Sequence, residues 1–133
     1  MIGPAFEGDV RLVNGPTITE GRVEIYFAGE WASVCDHSLT DTEGIALCHY
    51  FNYPYGYIKG EAYYGKAKDS TSMLSFKCPN NTLDVRKCSK KLINDCSHQN
   101  DAGIVCKSKL MLINYAQSFL INHLIFDIIS PRN

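Results

Sequence analysis

The stretch Gly21–Asp36, GRVEIYFAGEWASVCD, decides how the rest of the chain is read. Val23, Ile25 and Phe27 alternate with Arg22, Glu24 and Tyr26, the period-two pattern of a strand with one buried face. Ala28-Gly29 breaks the run where a tight reversal is needed, and Glu30 to Cys35 supplies the returning strand. A slip of one residue would turn Val23, Ile25 and Phe27 out to water, so the register is strongly specified. Trp31, the only tryptophan, reads as the large apolar plug of the sheet. Cys35, at the end of the returning strand, is placed to tie the hairpin to distant sequence.

Working outward, 133 residues make one domain with room for an extension, large enough to bury roughly two-thirds of its unfolded surface. A net charge of -1 gives no global field toward nucleic acid or an acidic membrane. The six cysteines, Cys35, Cys48, Cys78, Cys88, Cys96 and Cys106, contain no CxxC pair, which argues against zinc ribbons and thioredoxin-like redox sites. Wide, irregular spacing of this kind reads as a disulfide framework, and hence a secreted or cell-surface location. Met1-Ile2-Gly3-Pro4 shows neither the basic start nor the apolar stretch of a secretion leader, so the chain is expected to be a fragment or an incomplete gene model.

Residues 1–8 read as a lead-in and 9–107 as the domain, which opens on a strand at Asp9–Val13 and a turn at Asn14-Gly15-Pro16. After the hairpin, Thr40-Asp41-Thr42-Glu43 is a capping box, and Gly44, Leu47, Cys48 and Phe51 fall on one face of the helix that it starts. Tyr53, Tyr55, Tyr57, Tyr63 and Tyr64 crowd the next segment and read as core and rim packing rather than a ligand-stacking platform. Met73–Cys78 is another strand, and Cys78 and Cys88 enclose a short polar loop, which makes them natural partners. Asn80-Asn81-Thr82 in that loop is an N-glycosylation sequon, meaningful only in a secreted chain.

Cys96–Cys106, CSHQNDAGIVC, closes the domain with a polar loop and an apolar strand. VRLVNG, GRVEIYFAGEWASVCD and CSHQNDAGIVC, in that order and with all six cysteines, resemble a scavenger receptor cysteine-rich (SRCR) domain over about Val10 to Cys106. The resemblance implies an α+β fold, a small disulfide-rich domain whose curved antiparallel sheet cradles one helix. It implies the pairs Cys35–Cys96, Cys48–Cys106 and Cys78–Cys88. Family members with a further pair carry it at the positions of Thr19 and Tyr53, so this chain resembles the six-cysteine group A type.

No nucleophile elbow, HExxH, P-loop or GxGxxG is present, and His37, His49, His98 and His123 are scattered, so the domain reads as a non-enzymatic module. Many family members bind Ca²⁺ through acidic clusters. The corresponding positions here read Asp36, His37 and Thr82 in one site and Leu74, Ser75 and Asn81 in the other. Asp36 and Asn81 remain of that degraded pattern, too few oxygens for a hard cation, so no metal or other cofactor is expected. Arg86, Lys87, Lys90 and Lys91 gather around Cys88, with Lys66 and Lys68 on a loop expected nearby, and suggest a salt-sensitive site for polyanions. Gly21–Ile25 followed by Trp31 also resembles a segment linked to bacterial recognition in mucosal SRCR proteins, although strand packing accounts for its alternation.

The 108–133 tail contains the apolar run Leu110–Ile129, read as an amphipathic helix or as a gene-model artefact ahead of a membrane span, which Asp127, His123 and two Asn make costly. The resemblance implies an extracellular, ligand-binding, scavenger-receptor-like or pattern-recognition module, a glycoprotein of innate immunity. Its expected partners are polyanions, secreted or cell-surface proteins, and other domains of a longer parent, with membrane association through parent or tail. An accessory domain of a secreted protease or lysyl oxidase-like enzyme, and a cell-surface adhesion module, are the alternative readings.

Overall fold

The computed structural model describes residues 3–108 together with 117, 120 and 121. Within residues 3–108 seven strands and one α-helix follow in the order β1 (Val10–Val13), β2 (Glu20–Phe27), β3 (Glu30–Val34), α1 (Asp41–Tyr50), β4 (Tyr55–Lys59), β5 (Met73–Lys77), β6 (Ser89–Ile93) and β7 (Gly103–Lys107). One sheet runs β4-β7-β2-β3-β5-β6, with β1 also paired to β2. Every pairing is antiparallel except β3 with β5. Arg22 meets Val13 of β1 on one side and Gly103 of β7 on the other, so the long β2 carries β7 and β3 in succession along one edge. That arrangement curls the sheet into a half-barrel, and α1 lies in its hollow against β4 and β7.

The hairpin has the expected register, Tyr26 opposite Trp31 and Glu24 opposite Ser33, turned by Ala28 and Gly29 at positive φ. Val23, Ile25, Ala32 and Val34 face the hollow and meet Leu47, Leu74, Phe76 and Ile104 in a core with no measurable exposure. Trp31 is not the plug. The register that sends Ala32 and Val34 inward sends Trp31 to the outer face, half-buried, edge-on to Tyr26 at 5.4 Å.

Helix α1 starts at Thr40, as the capping box requires, and its Glu43 is fully buried. Three disulfides pin the layers. Cys48–Cys106 joins helix to β7, Cys35–Cys96 joins the hairpin's end to the loop before β7, and Cys78–Cys88 closes the loop between β5 and β6. These are the pairs that the SRCR resemblance implies. The expected C-terminal helix over Leu110–Ile129 lies outside the described residues, save Gln117, Leu120 and Ile121, which are helical and exposed. Among the described residues no helix is long and apolar enough to cross a membrane.

Candidate functional site

The outer face of β1–β3 is where the strand alternation hides its chemistry. Arg11 of β1 stands directly opposite Glu24 of β2, and Arg22 lies two residues before Glu24 on the same face. Glu24 Oε1 accepts from Arg11 Nε and Nη2 at 2.8 and 2.6 Å, and Oε2 accepts from Arg22 Nε and Nη2 at 3.3 and 3.1 Å. Both Arg22 and Glu24 are buried, so this is a desolvated carboxylate fixed between two guanidinium groups. Arg11 is half-exposed and its guanidinium lies 4.3 Å over the Trp31 ring, a cation–π contact. Lys68 and Thr71 line the groove beside Trp31, a cavity of about 370 Å³, together with Arg11, Arg22 and Glu24.

Residues 60–72 strap this face and make it a groove instead of an open sheet. Arg22 Nη1 donates to the Gly65 carbonyl at 3.2 Å, and Ala67 N–H donates to the buried Asp101 carboxylate at 2.8 Å. His98 Nδ1 meets the same carboxylate at 2.9 Å, and its Nε2 lies 2.9 Å from the Thr71 carbonyl. The two ring nitrogens thus join the strap to the CSHQNDAGIVC loop. Ser33 Oγ lies 3.3 Å from Nδ1 as well, which assembles a Ser/His/Asp trio that the scattered positions did not suggest. It lacks the geometry of a proton relay: serine and aspartate share one nitrogen, the other is taken by a carbonyl, and Ser33 is fully buried.

Among the cations read around Cys88, Arg86 and Lys90 have partners of their own. Arg86 is paired with Asp84 through Nε and Nη2 at 3.1 Å each, and this hydrogen bonding holds the Asp84 carboxyl below its usual range. Lys90 donates to the Val85 and Cys88 carbonyls at 2.9 and 3.3 Å. Burial pulls its ammonium below the ordinary lysine range, against the charges of Asp84 and Glu7. Lys87 and Lys91 are exposed. Lys68 sits beside Trp31 and Arg11 instead of in this group.

The remnants of the calcium pattern also separate. Asp36 accepts the Glu61 N–H at 2.7 Å, with His37 at 4.0 Å, whereas Asn81 lines a dent with Thr42, Ile45, Thr82 and Leu83. Cys35, His37 and Cys96 are close enough to resemble a metal cluster, but the two sulfurs form a disulfide and offer no thiolate. This donor set does not fit a hard cation that needs several oxygens.

Of the tyrosines, Tyr64 is buried and its hydroxyl donates to Glu20 at 3.1 Å, while Tyr63 and Tyr55 are exposed. Arg11 was the residue missed from the sequence. Its signal was available in a basic position on β1 that pairs across to an acidic one on β2.

A family model for the scavenger receptor cysteine-rich domain matches residues 13–107. Galectin-3-binding protein from Rattus norvegicus is 33% identical over 107 residues, covering 78% of this chain and 19% of that protein. The Mesocricetus auratus protein of the same name is 32% identical over 106 residues, covering 77% and 18%. The chain therefore spans about a fifth of the length of these curated relatives. Among solved structures, the third SRCR domain of murine neurotrypsin is 33% identical with a TM-score of 0.65, covering 74% of this chain and 94% of that one. The dimeric form of the SRCR domain of mouse MARCO is 26% identical with a TM-score of 0.56, covering 66% and 86%.

Proposed function

The chain belongs to the scavenger receptor cysteine-rich family, and from that premise we propose that it is an extracellular binding module taking polyanionic ligands at the groove beside Trp31. The observation that carries this reading is the pairing of Arg11 and Arg22 with a single carboxylate, Glu24, in a groove that Lys68 and the Trp31 ring also line. Glu24 holds both guanidinium groups in place before any ligand arrives, which lowers the cost of ordering them on binding. Arg22 is committed to Glu24 and Gly65, while Arg11 keeps Nη1 for an incoming sulfate, phosphate or carboxylate. Three disulfides support the extracellular location, because such bridges form and persist in oxidising compartments and are rare in reducing ones. One exposed cation contributes on the order of 1 kcal/mol or less, so useful strength comes from repetition in a longer or oligomeric parent.

The test is heparin binding followed by Trp31 fluorescence and by the salt needed for elution. Arg11→Gln with Lys68→Gln is expected to abolish the fluorescence change and lower the eluting salt. Replacing Arg86, Lys87, Lys90 and Lys91 together by Ser is expected to leave the fluorescence response in place. The opposite pattern would move the site to the Cys78–Cys88 loop and refute the groove. A second reading, a specific protein partner on this same face, is favoured by the 33% identity to a protein named for binding galectin-3, and predicts binding that salt barely weakens.

A further inference from the structure

We infer that Asn80 carries an N-linked glycan. Asn80-Asn81-Thr82 is the one Asn-x-Ser/Thr triplet with x other than Pro in the 133 residues. Such a triplet becomes an acceptor where its amide is reachable and the chain around it bends. Asn80 and Asn81 are exposed, and the Thr82 N–H donates to the Pro79 carbonyl at 3.3 Å, closing a four-residue turn. Asn81, third in that turn, has φ 64°, the left-handed value of a type II turn, which asparagine tolerates better than most residues. Among the described residues the Asn80 amide has no hydrogen-bond partner. The Thr82 hydroxyl accepts only a long 3.4 Å bond from Asp84 N–H, so its own proton is available to the asparagine.

The group transferred is an oligosaccharide from a lipid-linked oligosaccharyl diphosphate. Its sugar C1–O bond to phosphate breaks, C1 bonds to Asn80 Nδ2, Nδ2 gives up a proton, and the lipid diphosphate leaves, with no change of oxidation state. The first sugars would lie beside the dent of about 160 Å³ lined by Thr42, Ile45 and Leu83, where Leu83 is 55% exposed. A glycan there covers an apolar spot that otherwise faces water, on the loop that the Cys78–Cys88 bridge closes. The groove beside Trp31 is built from β1–β3 and the strap, on the outer face of the sheet, and stays open.

The inference rests on the extracellular reading, since the donor is met only on the secretory route. The whole chain, placed behind a cleavable secretion leader, is produced in mammalian cells and read by intact mass and by peptide mapping with and without N-glycosidase. The expected result is a glycan mass that the enzyme removes, converting Asn80 to aspartate. Thr82→Ala and Asn80→Gln are expected to abolish it, and Thr82→Ser to keep it at lower occupancy. Secreted protein with all three disulfides and unmodified Asn80 overturns the glycan while the extracellular reading stands. Retained protein with free thiols overturns both.

Discussion

Replacing Glu43 by glutamine tests how the helix is locked to the sheet. Glu43 Oε1 accepts both the N–H and the O–H of Thr40 at 2.8 Å, and Oε2 accepts the Cys78 N–H at 3.0 Å. One fully buried carboxylate therefore caps α1 and fixes the start of the Cys78–Cys88 loop. The Lys77 ammonium, at 3.6 Å and half-exposed, adds little. A glutamine has one carbonyl oxygen for two sets of donors, so its NH₂ must face either Thr40 or Cys78 N–H. An unpaired buried donor costs about 1–3 kcal/mol, and losing the charge weakens the bonds that survive. Together these give a destabilisation of about 3 kcal/mol, which at a urea slope of about 2 kcal/mol/M lowers the unfolding midpoint by about 1.5 M. The acid limb carries an independent signature. Burial alone raises the Glu43 carboxyl, but the bonds from Cys78 and Thr40 and the charge of Lys77 outweigh it and leave it below the ordinary 4.5. A folded value lowered in this way contributes stability that is present above 4.5 and lost as pH falls through the folded value. Urea melts with disulfides intact, taken from neutral pH into that acid window, should show wild type losing this increment and Glu43→Gln lacking it. A variant within ~0.5 kcal/mol of wild type at neutral pH, or with the same acid slope, would refute the reasoning.

The bridges are expected to differ by the length of chain they close. Cys48→Ala with Cys106→Ala, spanning 58 residues, should cost about 4 kcal/mol, and Cys78→Ala with Cys88→Ala, spanning 10, about 3, read from urea midpoints. Gly103→Ala drives a Cβ into the Tyr64 ring, with Cε2 at 2.7 Å, and into the Gly21 carbonyl at 2.9 Å, so it should destabilise by about 2 kcal/mol in the same assay. Burial, then the hydrogen bond to Glu20 and its charge, pushes the Tyr64 phenol well above the usual range. Wild type and Tyr64→Phe should therefore show equal phenolate absorbance up to pH ~10, and an extra phenolate in wild type would contradict the burial.

The hairpin, the first strand, the helix start and the strand after Met73 were legible because each follows from one local rule: alternation, a turn dipeptide or a capping box. β4 and β6 were not, and the reasons differ. In β4 the residue that must face the helix is Gly56, where a Cβ would run into Cys48 Sγ and lie 2.7 Å from the Val105 carbonyl, so its buried side carries no apolar signal. In β6 Lys90 and Lys91 look like a solvated loop, yet they occupy the edge of the sheet opposite Phe76 and Ser75. The partners of the cation run around Cys88 were hidden for a related reason. Counting charges in sequence cannot show that Asp84 takes Arg86, or that backbone carbonyls take Lys90.

The groove was hidden by an assumption built into strand reading, that the face opposite the core meets water. Arg22 and Glu24 were assigned to that face correctly, yet both are buried: the strap meets Arg22 through Gly65, 43 positions on, and is itself tied down by Ala67 on Asp101, 34 positions on. A layer of paired charges and His98–Asp101 replaces solvent there, and every buried polar side chain among the described residues finds a partner. Trp31 follows from the same arrangement. With the hollow filled by Phe76, Leu74, Ile25 and Leu47, the one tryptophan stands on the outer face beside Arg11. Disulfides hold the two layers together without it, so the largest aromatic surface in the chain sits at the rim of a charged groove.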